Sequence, residues 1–202
     1  AASRCPWETG ARAGRTGAGR GVGKVGGGLV DLLVEAGVRC VVADTYPPAV
    51  KAVQERHPQV KAVSTDEIFG VECDIFSPNS MGGALNEPSI ARLRCRAVCG
   101  AANNQLATED DAKRLLSRGI LYAPDFVVNA GGLINVTEEI RGYNEKKAMI
   151  RVARVYDNTL RVLHTAHERG MSPHHAAVEL AEERVHRIGN LRLFRRSGDD
   201  RA

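Results

Sequence analysis

Behind a glycine-rich opening, apolar residues recur along the chain in two alternating periods. Leu29, Val30, Leu32, Leu33 and Ala36 make one face of a helix that stops at Gly37, a residue suited to a helix C-terminus. Val38 to Asp44 follows as a nearly unbroken apolar run, the signature of a buried strand. Pro47 and Pro48 open a helix through His57, Val60 to Val63 reads as a short strand, and Ser64-Thr65-Asp66-Glu67 is a capping box for a brief helix. Cys73-Asp74-Ile75-Phe76 is a further strand, and Pro88 sits in the first turn of a short helix ending near Leu93. Arg96 to Gly100 is strand-like, Thr108 caps a helix ending at Gly119, and Ile120-Leu121-Tyr122 completes the set. The alternation, without hairpins, predicts a parallel sheet covered on both faces, a doubly wound α/β fold.

From about Asp125 the period is helical. Ala148, Val152, Val155, Thr159, Val162 and Ala166 form one stripe, continued beyond Ser172-Pro173 by Ala177, Leu180 and Val185, so two long C-terminal helices are expected after the sheet. Their charged faces read as solvated surface, while the narrow stripe leaves packing on another part of the protein or a subunit open. Leu191 to Ala202 turns basic, then acidic, and reads as a frayed tail.

The loop before the first helix carries the candidate chemistry. Gly21, Gly23 and Gly26 stand in the spacing G-x-G-x-x-G, and Asp44 ends the next strand. In a Rossmann-type unit the first glycine makes the tight turn, the second lets the backbone approach a pyrophosphate, and the third lets helix and sheet pack closely. Amides at the helix start would hold the phosphates and the carboxylate would take ribose hydroxyls. One feature conflicts: Arg15-Thr16-Gly17-Ala18-Gly19-Arg20 stands where an apolar central strand belongs, and by propensity it is not a strand. The first strand is therefore atypical, and Gly27 and Gly28 each cost about 1 kcal/mol relative to alanine inside a helix.

Composition narrows the partners. The chain has 202 residues, enough for one domain of ordinary size or one domain plus an appendage. Its net charge of +4 comes from 28 basic and 24 acidic residues in mixed order, and aromatics are 4%, which argues against nucleic acid. Five cysteines, Cys5, Cys40, Cys73, Cys95 and Cys99, include no C-x-x-C pair, pointing to reduced thiols in a cytoplasmic protein rather than a disulfide or zinc framework. Cys95 and Cys99 read as small buried hydrophobes on a strand, and no metal site is expected. No secretory h-region or membrane-length apolar stretch stands in the sequence. His164, His167, His174 and His175 read as surface residues, and the lysines as solvated helix-face groups whose pKa is too high for a general base.

Three further stretches place polar residues where loops leave the carboxyl ends of strands: Ser77 to Gly83, Gly100 to Leu106, and Ala123 to Ile134. "GAANNQL" and "YAPDFVVNAGGLINV", in that order behind "GVGKVG", resemble the cofactor domain of the amino-acid dehydrogenase family that includes the leucine, valine, phenylalanine and glutamate enzymes, leucine and valine dehydrogenase above all. The likeness runs from about Gly21 to about Gly189. It implies that Gly21, Val22, Gly23, Lys24, Val25 and Gly26 form the pyrophosphate loop of an NAD site and that Asp44 takes the adenosine ribose. It further implies that Asn103 and Asn129 hold the nicotinamide carboxamide and help fix the substrate; an amide suits that task because it both donates and accepts. For either asparagine an Asx-turn or cap is the competing, lesser reading of the residues alone, Asn104 reads as structural, and Asp125 as a helix-start residue. Leu133 and Val136, three apart, would line an aliphatic substrate pocket. The position matching Val136 carries a hydroxyl residue in the glutamate-specific branch; here, helix-to-sheet core is the competing reading.

Two departures from the family pattern shape the expectation. The apolar strand before the first glycine is replaced by Gly17-Ala18-Gly19, and only some twenty residues stand where the family places a substrate domain with its catalytic lysine and aspartate. The expected organisation is a remnant and degenerate first strand over 1–20, an NAD-binding domain over 21–140, helices of the same unit over 141–190, and a tail over 191–202. No catalytic residue is assigned to this chain, which by itself is expected to be inactive. With a substrate domain upstream, the protein is expected to be a homo-oligomer that deaminates valine or leucine oxidatively to a 2-oxo acid and ammonium. A non-catalytic NAD-binding module and a decayed fragment are the alternatives.

Overall fold

The computed structural model describes residues 13–140 and 142–196. Cys5, the rest of residues 1–12, and residues 197–202 of the expected tail lie outside the described residues. The chain divides into two compact units, the first ending at Leu121 and the second beginning at Tyr122.

The first unit runs β1 (Thr16–Arg20), α1 (Lys24–Glu35), β2 (Arg39–Ala43), α2 (Pro47–Arg56), β3 (Lys61–Ala62), a 3-10 turn at Glu67–Gly70, β4 (Glu72–Pro78), α3 (Glu87–Arg92), β5 (Arg94–Val98) and α4 (Asp110–Ser117). The sheet order is β3-β2-β1-β4-β5-β6, with β6 (Leu121–Tyr122) straddling the end of the unit. Pairings among the first five strands are parallel. The chain winds outward from β1 through β2 to β3 and then crosses back to β4 on the other flank of β1. Strand order thus reverses between β1 and β4, and their carboxyl ends open the crevice where such sheets take ligands.

Central strand β1 corrects the propensity reading: Thr16–Arg20 is a strand despite its glycines. Neighbours on both flanks supply what its own side chains lack, since Gly17 pairs with Cys40 and Ile75, and Ala18 with Val41 and Phe76. Asp74 anchors its start. That carboxylate accepts the Thr16 amide at 2.9 Å and the Arg15 guanidinium at 3.0 Å, and the Thr16 amide, ahead of the arginine, holds its pKa below the usual carboxylate value. Val22, Val30, Cys40, Val42, Val53 and Val60 form a core that fastens α1 and α2 to β2 and to the turn after β1.

The other first-unit expectations hold with local changes. The capping box is formed: the Ser64 amide donates to Glu67 Oε2 at 2.9 Å and the Glu67 amide to Ser64 Oγ at 3.1 Å. At α4 the direction is reversed, because the amide and hydroxyl of Thr108 both donate to buried Asp111, so Thr108 is a donor and not the cap acceptor. Leu32 is 65% exposed and not part of the buried face, because two residues on from Val30 is the far side of a helix. Cys95 is half-buried and Cys99, one residue past β5, is exposed, so the pair is not a matched set of core residues.

The second unit contains α5 (Asp125–Val128), α6 (Gly131–Ile140), α7 (Glu145–Arg169) and α8 (Pro173–Arg196). Asp125 begins α5 as expected and accepts the Tyr122 hydroxyl at 3.1 Å. The Asn144 side chain caps α7 by accepting the Lys147 amide at 3.0 Å, and Gly170, at φ 64°, ends it. Val162, Ala166, Ala176 and Ala177 form a core with Val127, Met171 and Leu180 packed on it. Of the predicted stripe, Val185 is 69% exposed and outside this core. Helix α8 continues through Arg196, so residues 191–196 are helix rather than tail.

Candidate functional site

The glycine loop leaves β1 at the point where strand order reverses. Gly21 has φ +97°, and a Cβ there would lie 2.7 Å from the Ser80 amide nitrogen. A Cβ on Gly26 would stand 2.1 Å from the carbonyl oxygen of Gly21. These two positions exclude any side chain because backbone already fills the space. Gly23 differs: a Cβ there would meet nothing within 4 Å, so the space in front of it is open to a ligand. A dinucleotide loop needs that division, two glycines closing the turn and the middle one leaving the backbone bare. Gly23 is the N-cap of α1 and offers no side chain to the first-turn amides, and the first turn contains no acidic residue. An anion would meet bare amides and the positive helix end.

Asp44 is fixed to this loop. Its Oδ2 accepts the Val22 amide at 2.7 Å and its Oδ1 the Tyr46 amide at 2.9 Å, which sets the carboxylate beside the glycine turn with lone pairs remaining on both oxygens. Val22 takes part through its backbone only, since its side chain is 3% exposed in the core. Lys24 and Val25 are exposed in the first turn of α1.

The loops after β4 and β5 are knit together. The amide of Ala102 donates to Pro78 O at 3.0 Å and that of Gly83 to Asn104 O at 2.7 Å, while a Cβ on Gly82 would stand 2.8 Å from Asn103 O. Asn103 is exposed on this platform, and Asn104 takes a positive φ of 50°, a structural position as expected. The structure therefore brings the glycine loop, Asp44 and the loop of Asn103 to the carboxyl end of one sheet. Sequence reasoning missed Asn79, whose polar groups join these loops. The available signal was a polar side chain just past the carboxyl end of a strand, inside a stretch already singled out.

In the second unit, Asn129 ends α5, its amide donating to Asp125 O at 2.8 Å. Leu133 and Val136 share a face of α6 and are 73% and 50% exposed, with Ile140, 83% exposed, further along. Glu138, buried, pairs with Arg151 at 2.6 Å and ties α6 to α7.

Cys73 and Cys95 are not placed for thiol chemistry. Burial pushes Cys73 up to about 12 and Cys95 up to about 11, so both stay protonated and poorly nucleophilic at neutral pH. Among the described residues no group of three or more His, Cys, Asp or Glu side chains is placed to hold a metal ion, and no helix is long and apolar enough to cross a membrane.

The chain is similar to known proteins over most of its length. The chain is 47% identical over 167 residues to valine dehydrogenase of Streptomyces albus, covering 82% of this chain and 46% of that protein. It is 42% identical over 174 residues to leucine dehydrogenase of Thermoactinomyces intermedius, covering 86% and 47%. It therefore spans about half the length of the curated relatives it matches. L-tryptophan dehydrogenase from Nostoc punctiforme superposes with a TM-score of 0.87 at 39% identity, over 90% of this chain and 55% of that one. The sequence model of the Glutamate/Leucine/Phenylalanine/Valine dehydrogenases matches residues 41–192. With the doubly wound sheet, the glycine loop at its switch point and relatives of this identity, the chain belongs to the glutamate/leucine/phenylalanine/valine dehydrogenase family.

Proposed function

We propose that this chain is the NAD-binding part of an amino-acid dehydrogenase acting on branched-chain L-amino acids. The observation that carries the reading is the glycine loop: backbone fills the space at Gly21 and Gly26, Gly23 faces open space, and Asp44 is tethered to the adjoining amide. Bound NAD would accept the hydride from the amino acid's Cα, with water and the resulting imine giving a 2-oxo acid and ammonium. The chain's own residues bind and orient. First-turn amides of α1 receive the pyrophosphate, and Asp44 accepts from the ribose hydroxyls. The same carboxylate would stand against the 2′-phosphate of NADP, and Thr45-Tyr46-Pro47 supplies no arginine to offset the repulsion. Asn103, on the loop after β5, is read as a holder of the nicotinamide carboxamide, a task for which a side-chain amide is suited because it both donates and accepts; Asn129 takes the same role by family resemblance alone.

Exposure of Leu133 and Val136 supports a pocket role over the core alternative, because a core residue would not leave half or more of its surface open. An apolar face there favours valine or leucine and disfavours glutamate, whose distal carboxylate would lose water without gaining a partner. The acid and base groups, and a homo-oligomeric assembly, belong in this proposal to the complete enzyme with its substrate domain.

Isothermal titration of the chain with NAD and NADP tests the reading. NAD should bind more tightly, and Asp44→Ala should weaken NAD about tenfold while leaving NADP unchanged or improved. Equal or tighter NADP binding by the parent would remove Asp44 from the ribose. Absence of binding, with ready proteolysis, would identify a decayed fragment instead.

A further inference from the structure

The glycine loop and the loop of Asn103 leave different strands and would serve opposite ends of one dinucleotide, so their separation must be fixed by something between them. Asn79 lies at that junction. Its amide donates to the carbonyl of Arg20, the last residue of β1, at 2.7 Å, and Gly21 packs so closely on it that a Cβ would come within 2.8 Å of the Asn79 carbonyl carbon. Its side chain reaches the other way. Oδ1 accepts the Ala101 amide at 2.9 Å and the Ser77 hydroxyl at 3.3 Å, while Nδ2 donates to Ser77 O at 3.1 Å. Ala101 opens the segment that carries Asn103.

We infer that Asn79 is a positioning residue for NAD, its backbone holding the glycine turn and its side chain setting the Asn103 loop at the distance the cofactor spans. The inference rests on the NAD reading above. A carboxamide suits this position: the Ala101 amide and the Ser77 hydroxyl find an acceptor in Oδ1 while the Ser77 carbonyl finds a donor in Nδ2, two separate atoms of one short side chain. Asn79→Ala keeps the main-chain tie to Arg20, leaving the glycine loop and Asp44 in place. It removes the acceptor for the Ala101 amide and frees the Asn103 loop to shift. Asn79→Asp keeps that acceptor and exchanges the bond to Ser77 O for a carboxylate oxygen facing that carbonyl, a local repulsion on the Ser77 side and not at Ala101.

Calorimetric titration of each variant with NAD and with ADP-ribose, which lacks the nicotinamide, reads the two ends separately. Asn79→Ala should weaken NAD about tenfold and ADP-ribose by less than about threefold. Asn79→Asp should hold the ratio of the two affinities within about threefold of the parent, since any repulsion between the new charge and the pyrophosphate is common to both ligands. Equal losses for both ligands in Asn79→Ala, or an unchanged ratio, would overturn the inference by reducing Asn79 to general support of the fold. A parent that binds ADP-ribose and NAD equally well would overturn it too, while leaving the glycine loop as a nucleotide site. A parent that binds neither would refute the NAD reading itself.

Discussion

Adding one methyl group to Gly23 and to Gly26 in turn separates the loop's binding role from its structural one. At Gly26 the new carbon would lie 2.1 Å from Gly21 O, where ordinary contact begins near 3.4 Å, so backbone has to move by about an ångström. Gly21 has little room to yield. Its amide donates to Ala43 O at 2.8 Å and its other side rests on Asn79 and Ser80. Overpacking of this kind costs about 1–3 kcal/mol, and Gly26→Ala belongs at or above the upper end because both clashing partners are main chain. At Gly23 the methyl meets no atom within 4 Å, and φ −63° with ψ −158° is open to alanine. The entropic gain in the unfolded chain and the poorer N-cap roughly cancel, leaving stability within about 0.5 kcal/mol of the parent. Yet the methyl occupies the space a pyrophosphate must enter, and NAD affinity should fall at least tenfold, about 1.4 kcal/mol. Urea denaturation of both variants and calorimetric titration with NAD measure the two effects. A Gly23→Ala protein that binds NAD like the parent, or that loses as much stability as Gly26→Ala, would refute the assignment of these glycines.

The anchor of β1 makes a pH prediction. The Asp74 pKa is lowered, chiefly by the Thr16 amide, so its contribution is fully present above the ordinary carboxylate value and is lost as pH falls through the lower folded value. Asp74→Ala should cost about 2 kcal/mol at neutral pH and flatten the acid limb of stability, as urea midpoints at pH 7 and pH 3 would show; a variant with the parent's acid limb would exclude Asp74. For substrate choice, the domain fused to a substrate domain from an aliphatic amino-acid dehydrogenase should lose about tenfold in kcat/KM for L-valine relative to L-glutamate on Val136→Ser. Steady-state assays that show an unmoved ratio would take Val136 out of the pocket.

Period and punctuation along the chain were enough to determine the alternation of strands and helices, the parallel sheet and the two trailing helices. Local spacing encodes each of these: Gly37 ends α1 because φ +77° suits glycine, and Ser64 with Glu67 closes a box within four residues. The glycine spacing and Asp44 were legible for the same reason, since a turn and a strand end are local. Three things were decided only by the tertiary structure. Thr16–Arg20 is a strand because β2 and β4 pair with it from both sides and Asp74 anchors it, none of which its own residues reveal. Leu32, expected on the buried face of α1, is exposed, while Val22 of the glycine loop is buried, because burial depends on what lies opposite a face rather than on hydrophobicity. The function of Asn79 depends on Arg20 of β1 and Ala101 of the loop after β5, and contacts between residues so distant in sequence arise only when the sheet assembles.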